Sequence, residues 1–175
     1  MRITISGLPG SGTTTLGRML ADRYNCEYIS AGEVFRSLAA ERSLPLSEFS
    51  ALCEQDPRAD KLIDDRQRSI VLGSDRIVAE GRLSGWMIPE ADIKIWLFAP
   101  ITCRVARIHE RDGCVDTKAT ENETLVREAS ETTRYRQYYD IDISVLDIYD
   151  LVLNSEKFSP EELVKIVDAI VHDSC

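Results

Sequence analysis

The stretch Arg2-Ile3-Thr4-Ile5-Ser6-Gly7-Leu8-Pro9-Gly10-Ser11-Gly12-Thr13-Thr14-Thr15 decides how the rest of the chain is read. Ile3 and Ile5 alternate with small polar residues, which predicts a short strand over Arg2–Ser6. Gly7 to Gly12 is a glycine-rich turn, and from Thr14 to about Asn25 the apolar Leu16, Met19 and Leu20 recur at helical spacing. A strand, a glycine-rich turn and a helix together form the setting that a P-loop requires. Glycines let successive backbone N–H groups converge on one anion, and the helix adds the positive end of its dipole. The competing reading is a β–α turn that holds no ligand. On the P-loop reading, Gly7, Gly10, Ser11, Gly12, Thr13, Thr14 and Thr15 bind phosphate, and the Thr14 hydroxyl is a ligand for Mg2+. One position departs from the motif. A lysine that reaches the β- and γ-phosphates is expected where Thr13 stands, so the positive charge must come from elsewhere.

Working outward, Glu27–Ser30 reads as a second strand, followed by a helix from Ser30 or Ala31 to about Glu41 that Pro45 ends. Residues 46–72 are polar and helical in pattern, split near Asp56-Pro57. Arg76–Ala79 is a strand leading into Glu80-Gly81, and the apolar run Ile93–Phe98 is typical of a buried parallel strand. Ile101–Arg111 and Glu123–Tyr139 read as helices. The polar stretch Asp112–Asn122 between them carries Gly113 and is expected to be a mobile loop. Leu151–Leu153 is a last strand, and Ser159-Pro160-Glu161-Glu162 starts a helix with a cap, a proline and two acids. Strands alternating with helices predict an α/β fold: one domain with a parallel sheet covered on both faces.

The 175 residues fit one domain, and no apolar run is long enough to span a membrane. No signal pattern precedes Ile3, so a cytoplasmic location is expected. Five cysteines lie at 26, 53, 103, 114 and 175 without CxxC or zinc spacing, which reads as free thiols. A net charge of −9 argues against nucleic acid as the main partner. Yet the five lysines are outnumbered by sixteen arginines, and Arg104, Arg107 and Arg111 recur at helical spacing before Arg127, Arg134 and Arg136. A planar guanidinium grips phosphate in a bidentate way that an ammonium cannot. A local arginine cluster on an acidic chain points to a small phosphorylated ligand.

Several motifs together carry a resemblance. Gly7-Leu8-Pro9-Gly10-Ser11-Gly12-Thr13-Thr14-Thr15, Ile29-Ser30-Ala31-Gly32-Glu33-Val34-Phe35-Arg36 and Glu80-Gly81-Arg82-Leu83-Ser84-Gly85-Trp86 resemble the archaeal type of cytidylate kinase. Arg134-Tyr135-Arg136-Gln137-Tyr138-Tyr139-Asp140-Ile141-Asp142-Ile143 and Tyr149-Asp150-Leu151-Val152-Leu153-Asn154 look like that family's C-terminal motifs, so the likeness covers nearly the whole chain. It implies a P-loop kinase sheet of five parallel strands in the order 2-3-1-4-5. It also implies a helical NMP-binding region over about 34–72 and a short lid over about 110–122.

The implied reaction is transfer of the γ-phosphoryl group of ATP to CMP or dCMP with Mg2+, by a monomer without nucleic-acid or membrane partners. Glu80 would orient a water on the metal, and Arg36 and Arg82 would hold the acceptor phosphate. Arg104, Arg107 and Arg111 would close over the γ-phosphate, with Arg127 and Arg134 completing the clamp. Ser30 and Gly32 would line the acceptor side. Bacterial members are expected to carry Asp after the Gly-Arg pair, where this chain has Leu83, so the base must be read differently. Two other readings stand beside this one: a kinase for AMP, shikimate or gluconate, and a nucleotide-binding protein without turnover.

Overall fold

The computed structural model describes residues 1–113 and 116–173. In chain order the elements are β1 (Arg2–Gly7), α1 (Thr13–Tyr24), β2 (Glu27–Ser30), α2 (Ala31–Glu41), α3 (Leu46–Gln55), α4 (Pro57–Gly73) and β3 (Ile77–Glu80). They continue with α5 (Ser84–Met87), β4 (Ile93–Phe98), α6 (Ile101–Asp112), α7 (Thr117–Tyr139), β5 (Leu151–Asn154) and α8 (Pro160–Asp173). All strand pairings are parallel and the sheet order is β2-β3-β1-β4-β5. This is the α/β sheet and the strand order that the resemblance implied.

The central strand β1 is buried on both faces: Ile3 and Ile5 on one side, and Thr4 and Ser6 on the other, are all 0% exposed. The apolar side packs on Leu16, Leu20 and Ala21 of α1, Ile95 and Leu97 of β4, and Leu163 and Val167 of α8. Gly17 of α1 has a packing reason, since an added Cβ would lie 2.9 Å from the Tyr28 ring of β2. The inserted helices α2–α4 have a core of their own around Val34, Leu38, Ala39, Phe49, Cys53 and Ile63. Among the described residues, no helix is long and apolar enough to cross a membrane.

The structure corrects one stretch of the sequence reading. Most of the loop expected over Asp112–Asn122 is helix: α6 runs to Asp112 and α7 begins at Thr117, while Cys114 and Val115 lie outside the described residues. Asp116 caps α7 by accepting from the backbone of Lys118 and Ala119. The Thr120 hydroxyl donates to the Asp116 carbonyl at 3.0 Å and the Thr124 hydroxyl to the Thr120 carbonyl at 2.7 Å. Thr120 and Thr124 are therefore buried with their hydroxyls satisfied, and a polar helix face here looks like a loop in sequence.

Candidate active site

Parallel α/β sheets gather ligand-binding loops at the carboxyl ends of their strands. Here β1 ends at Gly7, β2 at Ser30, β3 at Glu80 and β4 at Phe98, with the β2–β3 pairing aligning Ser30 with Glu80 and the β1–β4 pairing aligning Gly7 with Leu97. The turn after β1 is built for close approach. Gly10 and Gly12 have φ of 79° and 93°, a left-handed backbone that favours glycine. At Gly10 an added Cβ would also lie 2.6 Å from the Arg104 carbonyl oxygen. No side chain caps the N-terminus of α1, so its first N–H groups have no side-chain acceptor and face the turn.

The carbonyls of this turn are tied from behind by arginines. Arg82 Nη1 donates to the Gly7 carbonyl at 3.2 Å, and Arg104 Nη1 to Pro9 at 3.2 Å. Arg107 Nη1 reaches Gly10 at 3.3 Å, and the Ser155 hydroxyl donates to Ser11 at 2.6 Å. Arg107 also donates to the hydroxyl and carbonyl of Ser155, at 2.9 and 2.7 Å. The Ser11 N–H closes the turn onto the Leu8 carbonyl at 3.1 Å, and the carbonyls of Gly7, Pro9, Gly10 and Ser11 are each held by a donor from outside it. Three guanidinium charges thus lie against the carbonyls of a turn whose Thr13 supplies none.

This arrangement revises the expectation for two arginines. Arg104 and Arg107 were expected to close over the γ-phosphate from a lid. In the structure their guanidinium groups are spent on the P-loop backbone instead. Arg104 is 5% exposed, donates to Ala99 at 3.0 Å, and pairs with Glu128 of α7. The reason is position: the first two turns of α6 pack beneath the P-loop, so side chains at 104 and 107 meet it from below. Arg111, a turn later, is exposed and pairs with Asp112 at 2.7 Å.

Thr13, where the lysine is expected, takes up a different task. Its hydroxyl donates to Glu80 Oε1 at 2.7 Å, while the Thr14 hydroxyl lies 3.5 Å from Glu80 Oε2. The Tyr28 hydroxyl donates to the same Oε2 at 3.3 Å. Burial, then the charges of Glu80 and Glu33, push the Tyr28 phenol up to about 12, so it remains a donor at neutral pH. Thr14 and Glu80 offer a hydroxyl and a carboxylate side by side, and hard oxygen donors of this kind suit Mg2+ shared with phosphate oxygens and water. Thr15 is exposed at the start of α1.

On the β2–β3 side, Ser30 caps α2 by accepting from the Glu33 backbone at 3.0 Å, and Glu33 returns a bond to the Ser30 N–H. Gly32 is exposed beside Arg36, with its Cβ position 3.5 Å from Arg36 Nη1. Among the described residues no carboxylate pairs with the exposed Arg36. Gly81 is pinned by crowding, since a Cβ there would sit 2.8 Å from Ala31. The buried Gln67 of α4 donates to the Glu80 carbonyl at 2.9 Å and accepts from Ser84 Oγ at 3.1 Å. These contacts fix the direction in which Arg82 leaves β3.

Glu131 is a residue that the sequence reading missed. It is 6% exposed, yet it takes Arg82 Nε at 2.6 Å and Arg127 Nε at 2.8 Å. Burial works against its charge, but Arg82 and then Arg127 outweigh it and hold the carboxyl below the usual range. Its one sequence signal was the i,i+4 spacing to Arg127. Arg134 lies on the same helix next to the half-buried Tyr135, whose phenol is pushed up by burial and then by the charge of Glu131. Of the predicted residues, Arg82, Arg104 and Arg107 donate to the P-loop turn and Thr13 and Thr14 meet Glu80, while Arg111 is exposed at the end of α6.

The shift at Glu131 has a pH consequence. A carboxyl with a lowered folded pKa contributes stability that is present above its unfolded value of about 4.3 and lost as pH falls through the folded one. Glu131→Gln removes that contribution. Its unfolding free energy should therefore fall less steeply below about pH 4.3 than that of the wild type in parallel denaturant titrations. Equal acid slopes would mean that the buried pair does not hold this charge.

Comparison with known proteins gives one family. The model of the cytidylate kinase-like family matches residues 2–157. A cytidylate kinase of Methanospirillum hungatei is 57% identical over 171 residues, covering 98% of this chain and 96% of that protein. One of Methanoregula boonei is 55% identical over 171 residues, with 98% and 94% covered. One of Archaeoglobus fulgidus is 45% identical over 167 residues, with 95% and 92% covered. Among solved structures, a shikimate kinase from Bacteroides thetaiotaomicron superposes with a TM-score of 0.67 at 12% identity, covering 98% of both chains. TT1252 from Thermus thermophilus gives 0.64 at 16% identity, with 99% of this chain and 97% of that one covered. The last two likenesses concern the fold alone.

Proposed function

The chain belongs to the cytidylate kinase-like family, and from that premise we propose that it transfers the γ-phosphoryl group of ATP to CMP or dCMP, giving ADP and CDP or dCDP. The observation that carries this reading is the double attachment of Arg82. One guanidinium bonds both to the P-loop carbonyl of Gly7 and to Glu131 of α7. It therefore lies between the donor-phosphate turn and the arginine-lined acceptor side. An acceptor phosphate is already anionic, so the reaction needs no strong base. Positioning and charge stabilisation do the work.

The N–H groups of Gly10, Gly12, Thr13 and Thr14 bind the β- and γ-phosphates of ATP, on a turn that the Ser11 N–H closes onto the Leu8 carbonyl. Arg36 and Arg82 draw the acceptor phosphate toward them, and Ser30 and Gly32 leave space beside it. Arg127 and Arg134 complete the clamp from α7, and Arg111 joins it when the junction between α6 and α7 moves over the site. Thr14 and, through water, Glu80 would hold Mg2+, which when bound neutralises phosphate charge. The separate core of α2–α4 supports an NMP-binding region over about 34–72 that shifts as one piece. Closure of that region and of the α6–α7 junction would keep water from the γ-phosphate.

The test is ADP release with ATP and Mg2+ in the presence of CMP, dCMP, AMP, shikimate or gluconate in turn, and with no acceptor. CMP and dCMP should give turnover at least tenfold above the other arms. Turnover led by AMP would move the assignment to an adenylate-type acceptor. Release that no acceptor stimulates would leave a nucleotide-binding protein without transfer activity.

A further inference from the structure

Glu80 carries its carboxylate on a flexible stem, and ordering such a stem costs side-chain entropy. Something must therefore hold it beside Thr14. In the structure both of its oxygens are held. The Thr13 hydroxyl donates to Oε1 at 2.7 Å, and the Tyr28 hydroxyl donates to Oε2 at 3.3 Å. Thr13 reaches the carboxylate from the first turn of α1, and Tyr28 reaches it from the edge strand β2.

The place of Tyr28 is itself prepared. The β2–β3 register pairs Tyr28 with Val78 and Ser30 with Glu80. Side chains alternate along a strand, so Tyr28, Val78 and Glu80 share one face of the sheet. Val78 packs with Leu16 and Leu20, so this is the face that α1 covers. The half-buried Tyr28 ring lies against α1 at Gly17, where an added Cβ would come 2.9 Å from Cε2. A glycine inside a helix is unfavourable, and here it makes room for this ring. The Arg18 guanidinium stands over the same ring, 5.5 Å from its centroid. The ring is thus fixed one turn beyond Thr13 and Thr14, with its hydroxyl on the carboxylate that both threonines meet.

We propose that Tyr28 is a positioning residue for the metal site. Its hydroxyl, with that of Thr13, fixes the Glu80 carboxylate beside Thr14, so that Mg2+ arriving with nucleotide meets both oxygen donors in one arrangement. The proposal rests on the reading of the chain as a kinase in which Thr14 and Glu80 serve the metal. Tyr28 acts through Glu80 alone, so its loss weakens nucleotide binding only when the metal is present.

The experiment measures the Kd of β,γ-methylene-ATP by calorimetry, once with Mg2+ and once with EDTA. It uses wild type, Tyr28→Phe, Thr13→Val, Thr13→Ser and Glu80→Gln, with melting curves for each and CMP turnover for wild type. Phenylalanine keeps the ring on Gly17 and removes the hydroxyl. In Tyr28→Phe the Kd with EDTA should stay within about threefold of wild type, while the Kd with Mg2+ rises about tenfold. Thr13→Val should show the same pattern, and Thr13→Ser, which keeps a hydroxyl, should return toward wild type. Equal changes in both constants, or no change in either, in folded Tyr28→Phe would overturn the role of Tyr28, since damage to packing does not depend on metal. A wild type that gains nothing from Mg2+, or a Glu80→Gln variant that keeps the full gain, would overturn the metal reading and the proposal with it. A wild type that gains from Mg2+ but does not turn over CMP would overturn the acceptor assignment alone, and the two constants would still decide for Tyr28. If Tyr28→Phe does not fold, Thr13→Val decides: a loss confined to the Mg2+ arm supports the hold on Glu80, and equal constants count against it.

Discussion

Arg82→Ala should lower kcat/KM for the acceptor by about 30- to 1000-fold, the equivalent of roughly 2–4 kcal/mol of lost transition-state stabilisation. The motif alone predicts a catalytic loss without unfolding. The structure adds a stability cost. Arg82 is a partner of the buried Glu131, and truncating one member of a buried pair leaves a charge without compensation. Arg127 remains on the other oxygen, so the cost should lie near the lower end of the usual range, about 3 kcal/mol. Denaturant titration and steady-state kinetics separate the two effects. Glu131→Gln is the informative companion, because it keeps acceptor geometry for Arg82 while removing the charge that orients it. A variant at 82 with normal kcat/KM would take this arginine out of the reaction.

Arg104→Met should be the most damaging change for the fold of the site. The methionine stem fills the same space, but three sets of bonds disappear together: to Ala99, to Pro9 and to Glu128. Glu128 is left with its side chain only 14% exposed and no cation beside it. The expected loss is about 3–5 kcal/mol, which for a chain of this size lowers Tm by roughly 6–20 °C. The P-loop loses the tether at Pro9, and a small displacement of the phosphate nest can cost on the order of 10²-fold in kcat/KM for ATP. Arg104→Lys restores the charge without the planar fork and should recover only part of both losses. The exposed pair of Arg111 with Asp112 makes a useful contrast, since surface pairs of that kind contribute about 0–1 kcal/mol. Similar melting points for Arg104→Met and Arg111→Ala would mean that Arg104 does not anchor the loop.

The sheet and the P-loop were legible because their signals are local. Ile3 and Ile5 before three glycines, and the apolar run of β4, state their structure within a few residues. The strand order came from motifs spread along the chain. What remained hidden depends on pairs of residues far apart in sequence. Arg104 was read as closing over the γ-phosphate, and nothing near it announces that Pro9, 95 positions earlier, needs a donor. The contacts of Arg107 with Gly10 and Ser155 are as distant in sequence and as silent there. The start of α7 was missed because its buried positions are threonines that bond back to the preceding turn, which removes the apolar rhythm that marks a helix. Asp116 was the usable signal, a helix cap in front of Thr117. At Thr13 the motif's broken position was visible but its use was not. The hydroxyl serves Glu80, and the cations stand behind the loop.

The most direct test of the whole account is a competition. Wild-type protein is given limiting ATP with Mg2+ and equal concentrations of CMP, dCMP, UMP, AMP and GMP, and the diphosphates formed are resolved by mass. The account predicts that CDP and dCDP together exceed each other product at least tenfold. ADP here must be counted as AMP-derived by isotopic labelling of the AMP. Labelled ADP as the main acceptor product, or a mixture of diphosphates that follows no base, would contradict it.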